Sequence, residues 1–138
     1  MEANHPRSLD EYCTTFETSF FNLRLRCIFC MFYASLPDLA DFFVKKLSIV
    51  WRHGCPFVCC QKCARHSAKV DREKYTLCVV NCNILDAVVG KPLSEILIRC
   101  SSCFAVLDNA EKLDACAREQ PVLLIRGNWR TECRTCKQ

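Results

Sequence analysis

Apolar residues follow two different periods along this chain, and the order in which the periods alternate is itself repeated. Leu9, Tyr12, Cys13 and Phe16 recur at helical spacing after Ser8-Leu9-Asp10-Glu11, a capping-box pattern that predicts a short helix. From Phe21 the period drops to two. Phe21, Leu23 and Leu25 alternate with Asn22, Arg24 and Arg26, predicting a half-buried strand that runs into Cys27. Pro37 suits a first helical position, and Leu39, Ala40, Phe42, Phe43 and Leu47 supply the apolar face of a helix of about three turns. The run Leu47-Ser48-Ile49-Val50-Trp51 predicts a strand stopped by Gly54 and Pro56. The order then returns: Leu97-Ile98-Arg99-Cys100 answers the segment before Cys27, a helical stretch covers Ala110 to Arg118, and Val122 to Ile125 leads into Gly127. Between the copies, Ala64 to about Leu85 carries few breakers and predicts a bridging helix, with Val70, Lys74, Leu77 and Cys78 compatible with it. Gly90-Lys91-Pro92 ends that connector, and a helical turn led by Leu93-Ser94-Glu95 follows.

Cysteine spacing turns this loose echo into a duplication. Four Cys-x-x-Cys pairs occur, Cys27/Cys30, Cys60/Cys63, Cys100/Cys103 and Cys133/Cys136, and each cysteine of the last two pairs lies 73 residues after its counterpart. Gly54 and Gly127 share the same offset. A chain of 138 residues split in two leaves each half too small for a self-sufficient core, so a staple is needed. Two thiolate pairs closing on one ion complete a tetrahedral site with no open position, and four soft sulfurs select zinc over magnesium or calcium. The expectation is two zinc ions, one per four-cysteine site. The fold class is α+β, two small duplicated mixed α/β zinc domains joined by a linker helix. Its parts are an N-terminal arm at 1–20, a first zinc domain at 21–63, a helical linker at 64–90 and a second zinc domain at 91–138.

Charge changes the picture less than its sign suggests. Lys and Arg outnumber Asp and Glu by 19 to 15, but eight thiolates on two divalent ions bring −4, so the loaded protein is formally neutral. Basic residues gather near Arg24/Arg26, Lys62/Arg65/Lys69 and Arg126/Arg130/Arg134 without forming an arm or helix built to enter a groove. That pattern weakens a nucleic-acid reading and fits solvated faces around zinc sites, and a zinc-dependent DNA-binding transcriptional regulator stands only as the rival reading. The first 25 residues hold no apolar run of signal-peptide type, and no stretch approaches a membrane span. Despite its 14 cysteines the chain is expected in a reducing compartment, neither secreted nor membrane-bound. A redox-active or [2Fe-2S] use of the pairs suits constant duplicated spacing less well.

The remaining cysteines and histidines have plain readings. Cys59 could stand in for Cys60 as a ligand, but only Cys60 has a partner 73 residues on. Cys13, Cys78, Cys82 and Cys116 are expected as small buried or half-buried residues. His53 and His66 find no vacancy beside a full thiolate tetrad, and no nucleophile with its base is legible, so no catalytic residue is assigned.

The succession of 2, 29, 2, 36, 2, 29 and 2 residues between these cysteines resembles the papillomavirus early transforming protein family, the sixth early gene product. So do Leu47 to Arg52, Lys91 to Cys100 and Ile125 to Trp129 at their distances from the cysteines. The resemblance implies a groove between two zinc domains that captures a helical Leu-x-x-Leu-Leu motif of a host protein, without chemistry by the viral protein. Carried over by position, Phe29, Leu47, Val50 and Leu97 would line the groove, with Arg99 and Arg126 meeting carbonyls or acidic side chains of the helix. Two partner classes follow. A HECT-type ubiquitin ligase would be recruited to degrade host targets, and a Mastermind-like coactivator would be bound to repress Notch signalling. Ala64, Ser67 and Asn128 stand where several human members carry bulkier residues or an arginine, which bears on peptide preference. The resemblance also implies residence in host nucleus and cytoplasm. Exposed apolar residues of the first domain, Val44 among them, suggest weak self-association. The last residues, Thr135-Cys136-Lys137-Gln138, lack the Ser/Thr-x-hydrophobic ending that PDZ domains take, so no PDZ partner is expected.

Overall fold

In the computed structural model, which describes residues 5–136, the capping box at Ser8 is formed. The Glu11 N–H donates to the Ser8 hydroxyl and the Glu11 carboxylate accepts from the Ser8 N–H, starting helix α1, Leu9–Thr15. Lys137 and Gln138, on which the exclusion of a PDZ partner rests, lie outside the described residues. The chain divides into two compact units, Met1–Ala64 and Arg65–Gln138.

The first unit is a three-stranded sheet with a helix. Strands β1 (Arg26–Cys27), β2 (Val50–Arg52) and β3 (Cys55–Val58) lie in the order β1-β3-β2, with β1 parallel to β3 and β2 antiparallel to it. Helix α2 spans Leu36–Val44 behind a Ser35/Asp38 capping box with Pro37 in its first turn. Its Leu39 and Phe42 join Leu9, Leu23, Leu25, Ile49 and Val58 in one core. The N-terminal arm is tied down by main chain as well as by Leu9. The Ile49 N–H donates to the Arg7 carbonyl at 2.7 Å, and Trp51 Nε1 donates to the Pro6 carbonyl at 2.9 Å.

Two expectations are corrected here. Residues Phe20–Asn22 form a 3-10 turn, and the strand toward Cys27 is only Arg26–Cys27, because β3 offers a parallel partner only at Phe57 and Val58. Leu23 and Leu25 are buried as the alternation demands, whereas Phe21 is 76% exposed. The strand expected from Leu47 begins at Val50, since the Leu47 N–H still donates to the Phe42 carbonyl and Lys46 turns with a positive φ.

The linker is corrected more substantially. Helix α3 runs Gln61–Tyr75, and the residues expected to prolong it, Thr76–Asn81, form strand β4. The reason is local: Thr76, Val79 and Val80 are β-branched, and strand β6 (Pro121–Ile125) provides an antiparallel edge for them. A 3-10 turn at Cys82–Ile84 and helix α4 (Leu85–Val89) follow, closed by Gly90 at φ 82°, a left-handed cap that suits glycine. The second unit then repeats the first. Strands β5 (Ile98–Cys100), β6 and β7 (Asn128–Thr131) with β4 give the order β4-β6-β7-β5, and helix α5 spans Asn109–Ala117. Ile98, Leu107, Ala115, Val122, Leu85 and Cys82 form its core together with Cys100, Cys103 and Cys133.

Backbone geometry repeats more faithfully than side chains do. Positive φ recurs at Met31 and Phe104 (65° and 68°), Lys46 and Glu119 (55° and 54°), and His53 and Arg126 (52° and 50°), every pair 73 residues apart. His53-Gly54 and Arg126-Gly127 are the two-residue loops of the β2–β3 and β6–β7 hairpins, where a type I′ turn needs positive φ at both central positions.

Candidate metal centres

A tight turn after β1 and another at the start of α3 bring Cys27, Cys30, Cys60 and Cys63 together, and the matching turns of the second unit gather Cys100, Cys103, Cys133 and Cys136. In each group all four sulfurs lie within 4.8 Å of one another. Cys30 and Cys60 are 4.0 Å apart at sulfur, Cys103 and Cys133 3.9 Å, close to the edge of about 3.8 Å that four Zn–S bonds of about 2.3 Å set in a tetrahedron. No ligand position is left for water, so both centres are structural. The chain carries two zinc ions, one in each four-cysteine site.

Backbone N–H groups aim at the sulfurs in the same way in both centres. The Cys60 N–H points at Cys27 Sγ (3.5 Å) and the Cys133 N–H at Cys100 Sγ (3.3 Å), with the Ser102 N–H adding a second bond to Cys100 (3.3 Å). At Cys27, burial raises the thiol pKa, but the N–H groups of Cys30, Cys60 and Phe29 outweigh it and bring the value down to about 6. At Cys100 the neighbouring Cys103 thiol, followed by these N–H bonds, overcomes burial and brings the value to about 4. Cys63 is pushed up by burial first and then by its sulfur neighbours, and Cys103 by the Cys100 sulfur first and then by burial. Four crowded thiols thus cannot ionise together unless a cation sits among them, which is what the donor set requires of zinc. Arg65 adds a guanidinium N–H 3.8 Å from Cys136 Sγ. Cys59 is outside the first cluster, its sulfur instead lying 3.6 Å from the Cys60 carbonyl oxygen. His53 and His66 are both exposed.

Three supports of these centres were not picked out from the sequence. Asp38 and Glu111, the third residues of α2 and α5, each close a capping box, and each reaches further to a ligand turn. The Gln61 N–H donates to Asp38 Oδ1 at 3.1 Å, and the Arg134 N–H donates to Glu111 Oε2 at 2.9 Å. Both acceptors and both donors are 73 residues apart, so the signal lay in the cysteine repeat, had it been extended to the capping pairs. Burial raises the Asp38 carboxyl pKa, but the Gln61 and Ser35 N–H groups hold it below its usual range. The third support is Arg72, whose Nη1 donates to the Ser101 carbonyl at 2.7 Å and so clamps the Cys100–Cys103 turn. Replacing Glu111 with alanine is expected to weaken zinc retention at the second centre about 10- to 100-fold, read by competition against a chromogenic chelator. An unchanged affinity would reduce Glu111 to a helix cap.

Residues assigned from the resemblance fall in different settings. Leu47 and Val50 are half-buried, Leu47 lying against the first core. Phe29 is 62% exposed within its ligand turn and Leu97 is 59% exposed. Arg99 is half-buried, with Nη1 donating to the Phe104 carbonyl at 2.7 Å. Arg126 stacks over the Tyr75 ring at 3.8 Å, 3.6 Å from Asp71. Among the described residues no helix is long and apolar enough to cross a membrane.

Fold and site together define a duplicated small-domain protein built on two closed zinc centres of four cysteines each. The Early Protein (E6) family model matches residues 27–136. Protein E6 of Human papillomavirus 65 is 45% identical over 136 residues, 99% of this chain and 97% of its own length. Protein E6 of Human papillomavirus type 48 is 46% identical over 99% of this chain and 96% of its own, and that of Micromys minutus papillomavirus 33% over 99% and 90%. Among solved structures, the C-terminal zinc-binding domain of HPV51 oncoprotein E6 is 29% identical, covers 43% of this chain and 78% of that one, and has a TM-score of 0.40. The chain belongs to the papillomavirus Early Protein (E6) family.

Proposed function

We propose that this protein is a non-enzymatic viral adaptor that binds acidic helical Leu-x-x-Leu-Leu segments of host proteins in the host nucleus and cytoplasm. Through that contact it either represses a Mastermind-like Notch coactivator or recruits a HECT ubiquitin ligase to degrade host targets. The observation that supports this reading is Leu97. It lies 59% exposed between Ile96 and Ile98, which are 4% and 0% exposed, with an arginine two residues on. A segment leading into β5 that buries the isoleucines on either side and leaves a leucine in water has an apolar anchor to offer, and Arg99 adds donors for an acidic side chain or a helix C-terminus.

The test is the affinity of the zinc-loaded protein for the two Leu-x-x-Leu-Leu helices, measured side by side. Leu97→Ala is expected to weaken the preferred peptide about 10- to 100-fold, the worth of a buried leucine, with the circular dichroism spectrum unchanged. Arg99→Ala is expected to weaken it at least about tenfold. Preference for the ligase peptide supports degradation of host targets, and preference for the coactivator peptide supports Notch repression. Binding to neither, with affinity for duplex DNA that falls steeply with salt, would replace this reading with that of a transcriptional regulator.

A further inference from the structure

Two cysteines outside the tetrads meet in the second unit. Cys82 opens the 3-10 turn Cys82–Ile84, Cys116 sits in the last turn of α5, and their sulfurs are 3.3 Å apart. That is closer than carbon atoms settle without a bond, about 3.5–4.0 Å, and sulfur is larger. Cys82 is 1% exposed, while Cys116 is half-buried with its sulfur 3.3 Å from the Cys82 carbonyl oxygen. The residues 73 positions earlier are Leu9 and Phe43, so the repeated fold accepts apolar side chains at these places and does not itself call for thiols. Neither sulfur belongs to a zinc centre, so both remain available for chemistry of their own.

We propose that Cys82 and Cys116 form a peroxide-oxidisable dithiol that closes to a disulfide in the zinc-loaded protein while both tetrads stay intact. Cys116, the one reached from solvent, attacks hydrogen peroxide as its thiolate. The O–O bond breaks, hydroxide leaves, and Cys116 becomes a sulfenic acid. The Cys82 sulfur then attacks the Cys116 sulfur, the S–O bond breaks, and the departing hydroxyl takes the Cys82 proton as water. Two thiols lose two electrons and two protons, and one peroxide becomes two waters. Burial, and then the bond to Cys116, push the Cys82 thiol up to about 12, so it is not the thiol that meets peroxide first, and its 3.3 Å approach to Cys116 is what places it for the second step. The bond spans 34 residues, including Cys100 and Cys103, and ties the Cys82–Ile84 turn to α5. A chain so cross-linked has less freedom to gain on opening, so the second centre releases its zinc more slowly.

The test treats the full-length zinc-loaded protein with hydrogen peroxide, blocks free thiols and digests with trypsin. The expected product joins the peptides Tyr75–Arg99 and Leu113–Arg118 with the loss of two hydrogens. Fragment ions assign the link to Cys82 and not to Cys78, which shares the first peptide. Cys82→Ser should stop at a Cys116 sulfenic acid trappable by dimedone, and Cys116→Ser should give neither product. Oxidised wild-type protein should lose second-centre zinc to a chelator more slowly than the reduced protein, with the first centre unchanged as internal control. Zinc release before the link forms would overturn the proposal. So would Cys116 passing to the sulfinic acid in the wild type with Cys82 still alkylatable.

Discussion

Removing zinc, or replacing Cys133 with serine, is expected to abolish the cooperative unfolding transition of the second unit. Cys100, Cys103 and Cys133 are not peripheral to that unit: they are 0%, 4% and 4% exposed and belong to the same cluster as Ile98, Leu107 and Val122. A structural zinc of this kind contributes about 10–16 kcal/mol to the state that binds it, while a whole domain retains only about 5–15 kcal/mol. Without the ion, the four crowded thiols repel one another as soon as a second one ionises, and the turns they close have no other covalent tie. Thermal melting monitored by circular dichroism, with zinc measured in parallel, gives the answer. Cys13→Ser, at a half-buried residue outside the tetrads, should leave most of the transition in place. A chelated protein that keeps its transition, or equal damage from Cys13→Ser and Cys133→Ser, would remove the tetrads from their structural role.

Asp71→Ala is expected to destabilise the second unit by about 3–5 kcal/mol, the usual result of leaving a buried charge without its partner. Arg130 enters from β7 with its side chain only 7% exposed. Its Nη1 lies 3.2 Å from Asp71 Oδ2, and its guanidinium sits over the Phe104 ring at 4.7 Å. Asp71, itself 15% exposed, also stands 3.6 Å from Arg126, so one carboxylate serves two cations. Arg130 Nε has no hydrogen-bond partner among the described residues, which leaves little to compensate if Asp71 goes. The double variant Asp71→Ala/Arg130→Met should recover most of the loss, because an apolar side chain of similar length costs nothing to bury there. Urea denaturation of the zinc-loaded proteins reads both values. A loss below about 1 kcal/mol for Asp71→Ala would place the pair with ordinary surface ion pairs.

The zinc centres were legible because the eight cysteines repeat at one offset, and the helices were legible where a start signal preceded a 3.6-residue period, the capping box at Ser8 for one and Pro37 for the other. The strands were less so. Leu23 and Leu25 alternate into the core, but whether alternation becomes a strand depends on a partner edge far along the chain, and β3 supplied one for only two residues. Thr76–Asn81 failed for the opposite reason: the local sequence tolerates a helix, and β6, some forty residues later, decided otherwise. Asp38 and Glu111 lay open to the same arithmetic as the cysteines. Their capping role is local, but their second bond, to the following ligand turn, exists only in three dimensions.

Arg126 sits on a two-residue hairpin loop with its backbone at φ 50°, and the Asn128 side-chain amide donates to its carbonyl at 3.2 Å. Its guanidinium is already stacked on Tyr75 and drawn toward Asp71. A flexible surface arginine loses roughly 0.5–1.5 kcal/mol of rotamer freedom when a partner immobilises it. Stacking on Tyr75 and the pull of Asp71 already restrict Arg126 in the folded protein, so part of that loss is met before any partner arrives.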